Sequence, residues 1–218
     1  MIKFKEFEGC QLDIISEGDL AYMRHNRNLP EIRDWCRQVG LIDPIQQEDW
    51  HKRISSDPTI RMYTIYMGDS VGVCGLTDID HVNQRAEFSC YIYPEHQGSG
   101  YATKALKTLF KHGFDDLNLN MIWGETFEGN AAIHIFTEKL GMFLEGTRRN
   151  FYYKKGKFLD AHLLSISKEE FRNVSLPTPI EFNPYAAHHS SEPSSGFIKE
   201  QKTDDKSGKT CACRRQAN

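Results

Sequence analysis

The sequence predicts a mixed α/β (α+β) domain: a single, mostly antiparallel sheet flanked by helices. Strand-like runs outnumber helix-like ones, which does not fit a doubly wound parallel sheet. Two pairs of runs are joined by tight turns, at Gly68-Asp69 and Lys155-Gly156, as hairpins are. A third stretch reads strand, glycine turn, amphipathic helix and strand, the order of a parallel crossover.

Taken in order, residues 11–15 read as a first strand. Ser16 can cap a helix over 19–25, with Glu17 and Asp19 favourable at its positive end. A polar region follows that carries Arg24, Arg27, Arg33 and Arg37, either as a solvated helical face or as a lip for an acidic or hydroxyl-rich substrate. Asp43 followed by Pro44 starts a helix that runs to 54. Strands are expected at 61–67 and 71–79, with 80–84 turning the chain into a central strand over 87–93. Pro94 closes that strand because it has no N–H to donate to a ladder. From Tyr101 the apolar positions Ala105, Leu106, Leu109, Phe110, Gly113, Phe114 and Leu117 recur with helical period. Residues 120–127 are strand, 130–140 a short helix ended by Gly141, and 143–153 with 158–167 a closing hairpin.

The 218 residues suffice for one well-packed domain, assigned to 1–172, with length left over. Apolar residues make up only 39%, and the deficit lies in 173–218, a Ser-, Pro- and Lys-rich tail expected to be disordered. A net charge of −3 gives no footprint for nucleic acid. No apolar run is long enough for a membrane span, and the N-terminus lacks the apolar core of a signal peptide. Cys10, Cys36, Cys74 and Cys90 are scattered without zinc-ligand spacing, so reduced thiols in a cytoplasmic protein are expected and no metal. Cys211-Ala-Cys213 has no partner pair nearby.

Chemistry enters between strand and helix, at Gln97-Gly98-Ser99-Gly100-Tyr101-Ala102. Two glycines let the chain turn sharply, with N–H groups pointing outward at a helix N-terminus, the arrangement that holds a phosphate or pyrophosphate. An ordinary turn is the plain alternative. The lack of a Gly-Lys-Ser/Thr ending excludes a nucleoside-triphosphate loop, and the lack of a third glycine a dinucleotide one.

Further on come Asn130-Ala131-Ala132-Ile133-His134-Ile135-Phe136 and Glu138-Lys139-Leu140-Gly141-Met142. With Gln97-x-x-Gly100-x-Ala102 before them, residues 10–170 resemble the GCN5-related N-acetyltransferase (GNAT) superfamily. YIYPEHQGSGYATKA and EGTRRNFYYKKGKFLDAHLLSI look most like the ribosomal-protein N-terminal and spermidine acetyltransferases, RNLPEIRDWCRQ more like amino-sugar acetyltransferases. The resemblance implies a sheet splayed at its centre, acetyl-CoA as co-substrate and a primary amine as acceptor. That acceptor is a small amine, polyamine or amino sugar, with a protein N-terminus as the alternative; a homo-oligomer is compatible.

Carried over by position, Gln97, Gly98, Ser99, Gly100, Tyr101 and Ala102 would surround the pyrophosphate, with the Thr103 hydroxyl adding a bond. Cys90, Tyr91 and Ile92 would pair with the pantetheine arm, an N–H of Tyr91 or Ile92 facing the thioester oxygen. Asn130 would contact the arm, cap a helix, or both. An alkylammonium of pKa ~10 must lose a proton before it can attack. Glu87 matches the family's catalytic glutamate; its plain alternative is a surface pair with Arg85, and Glu125 is the reserve. Where many members carry a tyrosine that protonates the departing thiolate, this chain has Phe136. Tyr91, Tyr152 and His134 are the candidate substitutes, and the missing acid favours, as a second class, a non-catalytic acyl-CoA-binding module.

Overall fold

A computed structural model describes residues 5–38 and 40–173; the expected tail beyond Asn173 lies outside them. The described strands form one sheet in the order β1-β2-β3-β4-β5-β6-β8-β7. They are β1 (Lys5–Phe7), β2 (Cys10–Ile14), β3 (Arg61–Met67), β4 (Asp69–Asp80), β5 (Arg85–Ile92), β6 (Met121–Phe127), β7 (Phe143–Lys154) and β8 (Lys157–Ser167). All neighbours pair antiparallel except β5 and β6, so the mostly antiparallel mixed sheet stands. β1 is an addition to the sequence reading, a three-residue edge strand.

The helices are α1 (Leu20–Asn28), α2 (Pro30–Arg33), α3 (Pro44–Ser56), α4 (Tyr101–Asp115), α5 (Ala132–His134) and α6 (Lys168–Asn173). α3 starts as its sequence asks: the Asp43 carboxylate accepts the Gln46 N–H at 2.8 Å and the Gln46 amide oxygen accepts the Asp43 N–H at 3.1 Å. The helix expected over 130–140 is less regular. α5 gives way to a single wide π turn, Ile135–Lys139, which keeps Ile133, Phe136 and Leu140 all turned into the core. No described helix is long and apolar enough to cross a membrane.

Each face of the sheet carries its own apolar layer. The α4 stripe, with Ala105, Leu106, Leu109, Phe110 and Phe114 buried, packs on Leu76, Ala86, Phe88, Ile122, Leu164 and Ile166. Each such large side chain contributes about 1.5–3 kcal/mol by leaving water. On the other face α1 and α3 bring Leu20, Met23, Trp50 and Ile54 onto Val73, Tyr91 and Tyr93.

One close approach holds the centre together. The Phe88 ring lies edge-on to Phe110 and Phe136, at 5.4 and 5.1 Å between centroids. A Cβ on Gly124 would fall 2.4 Å from its Cε1. Since the ring is held on both sides it cannot yield, and Gly124→Ala is expected to destabilise the fold by about 1–3 kcal/mol in denaturant melts.

Candidate active site

β5 is the strand on which the site is built. It pairs with β4 out to Ile92, but with β6 only at Arg85, Ala86 and Glu87. β6 meanwhile stays paired with β8 as far as Phe127. The two parallel strands therefore fork after the Glu87–Trp123 pair, and β5 from Phe88 onward faces a gap. Strand alternation decides which groups line that gap. The Tyr93 N–H donates to the Val71 carbonyl at 2.9 Å, and the register with β4 is uninterrupted from there back to Glu87. The N–H groups of Tyr91 and Ser89 thus turn toward β4, and those of Phe88, Cys90 and Ile92 toward the gap. Of the two N–H donors left open by the sequence, Ile92 is the one on the gap side.

The glycine turn closes the same end of β5. Pro94–His96 forms one 3₁₀ turn, and the Gln97 N–H is engaged there, donating to the Pro94 carbonyl at 3.2 Å. The Gln97 side chain reaches back and donates from Nε2 to the Ile92 carbonyl at 3.0 Å, which ties the turn to the edge of the gap. Gly98 and Gly100 have φ of +79° and +73°, the left-handed region that glycine enters without strain. Gly100 is the N-cap of α4, whose ladder begins only when the Lys104 N–H meets the Gly100 carbonyl at 3.4 Å. The N–H groups of Tyr101, Ala102 and Thr103 precede that ladder at the positive end of a fifteen-residue helix. Gln97 to Gly100 are exposed and the next three residues half-buried. An anion fits here.

Glu87 lies on the opposite side of β5 from Phe88, with its side chain only 7% exposed. The Arg85 pair that was the plain alternative is not formed, with Arg85 Nε at 3.5 Å from Asp80. Instead Arg37 grips Glu87 with both terminal nitrogens, Nη1 donating at 3.2 Å to Oε2 and Nη2 to Oε1. Arg37 Nε also reaches Glu125 Oε1 on β6 at 3.0 Å. Glu125, 4% exposed, further accepts from Arg148 Nη1 at 3.2 Å and from the Tyr152 hydroxyl. Two buried carboxylates, one on each arm of the fork, are thus joined by one guanidinium. Burial works against the Arg37 charge, yet the hydrogen bond and charge of Glu87, with the charge of Glu125, raise its proton affinity above the ordinary guanidinium value. In the sequence Arg37 is one of four nearby arginines, with nothing local to set it apart. Its partner stands 50 positions away, and no spacing rule joins them.

Two of those four arginines point to different partners. Arg27 lies 5.1 Å above the Tyr91 ring and donates to the Cys36 sulfur at 2.6 Å, while Arg37 crosses to the carboxylates. The Asn130 side chain accepts the Ala132 N–H at 3.0 Å from one residue ahead of Ala131, the N-cap of α5. Phe136 is buried against Phe88. His134 Nδ1 meets Glu138 at 2.8 Å on the surface, 60% exposed and turned away from the core. Burial pushes the Tyr91 phenol well above its ordinary value; burial and the Glu125 hydrogen bond push Tyr152 up to about 12. Both are poor acids toward a thiolate whose conjugate thiol has a pKa of about 8.5. Burial pushes the Cys90 thiol up to about 12, which keeps it protonated and unsuited to act as a nucleophile.

Known proteins share this architecture. A family model described as an acetyltransferase (GNAT) domain matches residues 10–143. Spermidine N(1)-acetyltransferase of Escherichia coli (strain K12) is 32% identical over 159 residues, 72% of this chain and 85% of its own. The putative ribosomal N-acetyltransferase YdaF of Bacillus subtilis (strain 168) is 29% identical over 123 residues, 56% of this chain and 67% of its own. The crystal structure of spermidine N-acetyltransferase from Vibrio cholerae with CoA and spermine covers 77% of this chain and 100% of that one. Its TM-score is 0.72 and its identity 23%, a likeness of fold. Because the matched residues include both the fork and the glycine turn, the chain belongs to the acetyltransferase (GNAT) family and is an acetyl-CoA-dependent N-acetyltransferase.

Proposed function

We propose that the acceptor is a primary alkylamine of the polyamine class, which attacks the thioester of acetyl-CoA directly while both substrates are bound. The observation that carries this reading is the carboxylate pair, Glu87 and Glu125, on the two arms of the fork. A carboxylate at that point can take the proton that an alkylammonium must lose, and a 32% identical relative is a spermidine N(1)-acetyltransferase. Two of the arginines that would suit a nucleotide-linked sugar are engaged elsewhere, Arg27 over Tyr91 and Arg37 with the carboxylates, which favours the amine over the sugar.

In this reading the N–H groups from Gly98 to Ala102 and the Thr103 hydroxyl take the pyrophosphate, with the Gln97 side chain bracing the turn. The edge of β5 at Cys90, Tyr91 and Ile92 carries the pantetheine arm, which Asn130 also contacts. The gap-side N–H groups of Cys90 and Ile92 stabilise the charge that develops on the carbonyl oxygen. Glu87 takes the ammonium proton, directly or through one water. The C–N bond forms as the C–S bond breaks, and the thiolate takes its proton from water, since Tyr91 and Tyr152 hold theirs too tightly. Attack by the bound amine leaves no task for an acyl-enzyme, in keeping with a half-buried Cys90 whose thiol stays protonated.

The four described cysteines are free thiols, which supports a reducing compartment such as the cytoplasm. The exposed Phe143, Phe151, Tyr153 and Phe158 on the edge hairpin support a homo-oligomer. Thiol release from acetyl-CoA, measured with spermidine, an amino-sugar nucleotide and a peptide N-terminus, tests the acceptor. Spermidine should give the highest kcat/KM; release with the peptide alone would replace the polyamine by a protein N-terminus.

A further inference from the structure

Arg37 belongs to neither arm of the fork, yet it touches both. It is carried by the segment after α2, and that segment is fastened from two sides. From the end of β7, Lys154 donates to the carbonyls of Cys36 and, at 3.0 Å, Gln38, and from the turn after it Lys155 pairs with Asp34 at 2.6 Å. From α1, Arg27 holds the Cys36 sulfur and the Asn28 amide oxygen accepts from Gln38 Nε2 at 3.2 Å. A surface arginine satisfying a random carboxylate would need no such fastening.

We propose that Arg37 is the counter-cation of the acceptor site, a positioning residue that neutralises Glu87 and Glu125 so that the entering amine is not held there as its ammonium. The inference rests on the proposed reading that these carboxylates face the acceptor. Two bare carboxylates would bind an ammonium well and, for the same reason, hold its proton. Tight binding of that form is unproductive, because only the neutral amine has a lone pair for the thioester. The charged and titratable groups meeting Arg37 are Glu87 from β5, Glu125 from β6 and Tyr152 from β7, with Arg148 on the far side of Glu125. With Tyr152 protonated, the two carboxylates and two guanidiniums sum to zero. The amine then meets a polar but neutral site, gives up its proton at lower pH, and finds Glu87 already in place to receive it. Arg37 thus exchanges acceptor affinity for turnover.

Arg37→Gln and Arg37→Lys test this. Spermidine binding to the CoA-loaded protein is read by calorimetry, and the pH profile of kcat, which reports the bound state, by thiol release. Arg37→Gln should bind spermidine about three- to tenfold more tightly than the parent protein. Its kcat at neutral pH should fall, and the acid limb of its profile should move to higher pH. Arg37→Lys, which keeps the charge, should restore affinity and profile toward those of the parent. Unchanged spermidine affinity in Arg37→Gln, whatever its thermal stability, would overturn the proposal. Weaker binding would overturn it too, making Arg37 an anchor for the acceptor. Failure of the parent protein to release thiol with any amine would sink the proposed acceptor reaction, while calorimetry would still decide the role of Arg37.

Discussion

Glu87→Gln is expected to lower kcat at neutral pH by about 10²–10⁴-fold, the usual worth of a positioned general base, with acetyl-CoA affinity unchanged. Glutamine preserves the size of the side chain and an oxygen that can still accept from Arg37, so the fork keeps its shape. What it cannot do is take a proton from an ammonium. At pH 7 an alkylammonium of pKa about 10.4 is neutral in fewer than about one molecule in a thousand, so the unaided reaction waits on a rare species. The loss should accordingly be deepest at low pH and shrink as the pH approaches the pKa of the free amine. A purely structural Glu87 predicts something else. Weakening the ion pair to Arg37 would lower the melting temperature and leave the pH profile of kcat/KM in place. Steady-state profiles from pH 6 to 10, with a melting curve for each protein, separate the two outcomes.

Much of this arrangement was legible in the sequence because local rules govern it. The α4 stripe, the capping Asp43 and the glycine turn all declare themselves within a few residues. The strand and hairpin boundaries fall close to expectation for the same reason. What the sequence hid depends on contacts between distant segments. β1 contains Lys5 and Glu6 in three residues and forms because it can pair with β2, not from any pattern of its own. The wide turn after α5 is set by core packing of Phe136 against Phe88. At the site, alternation along β5 foretold that Glu87 and Tyr91 would share a face. The pairing of Glu87 with Arg37, and the tie from Arg37 to Glu125, came from a loop whose fastening lies on β7. Periodicity says nothing about a loop that reaches across a sheet.

Gly100→Val is expected to raise the Kd for acetyl-CoA by about tenfold or more, for a reason that is conformational and not steric. A Cβ placed on Gly100 would meet nothing within 4 Å, so there is room for a side chain. The obstacle is φ of +73° at the N-cap of α4, a conformation that costs an ordinary L-residue about 1–2 kcal/mol and a β-branched one more. Valine escapes that cost by rotating the backbone out of the left-handed region, and the rotation swings the neighbouring N–H groups off the anion. Gly100→Asn supplies the contrast, since asparagine tolerates the left-handed conformation and adds comparable bulk. Retained affinity with asparagine and lost affinity with valine, read by calorimetry with acetyl-CoA, would identify main-chain amides as the grip on the pyrophosphate. Equal loss in both would point to obstruction by the side chain, and no loss in either would move the pyrophosphate away from the turn, because a recognition made of backbone is sensitive to torsion angles before it is sensitive to size.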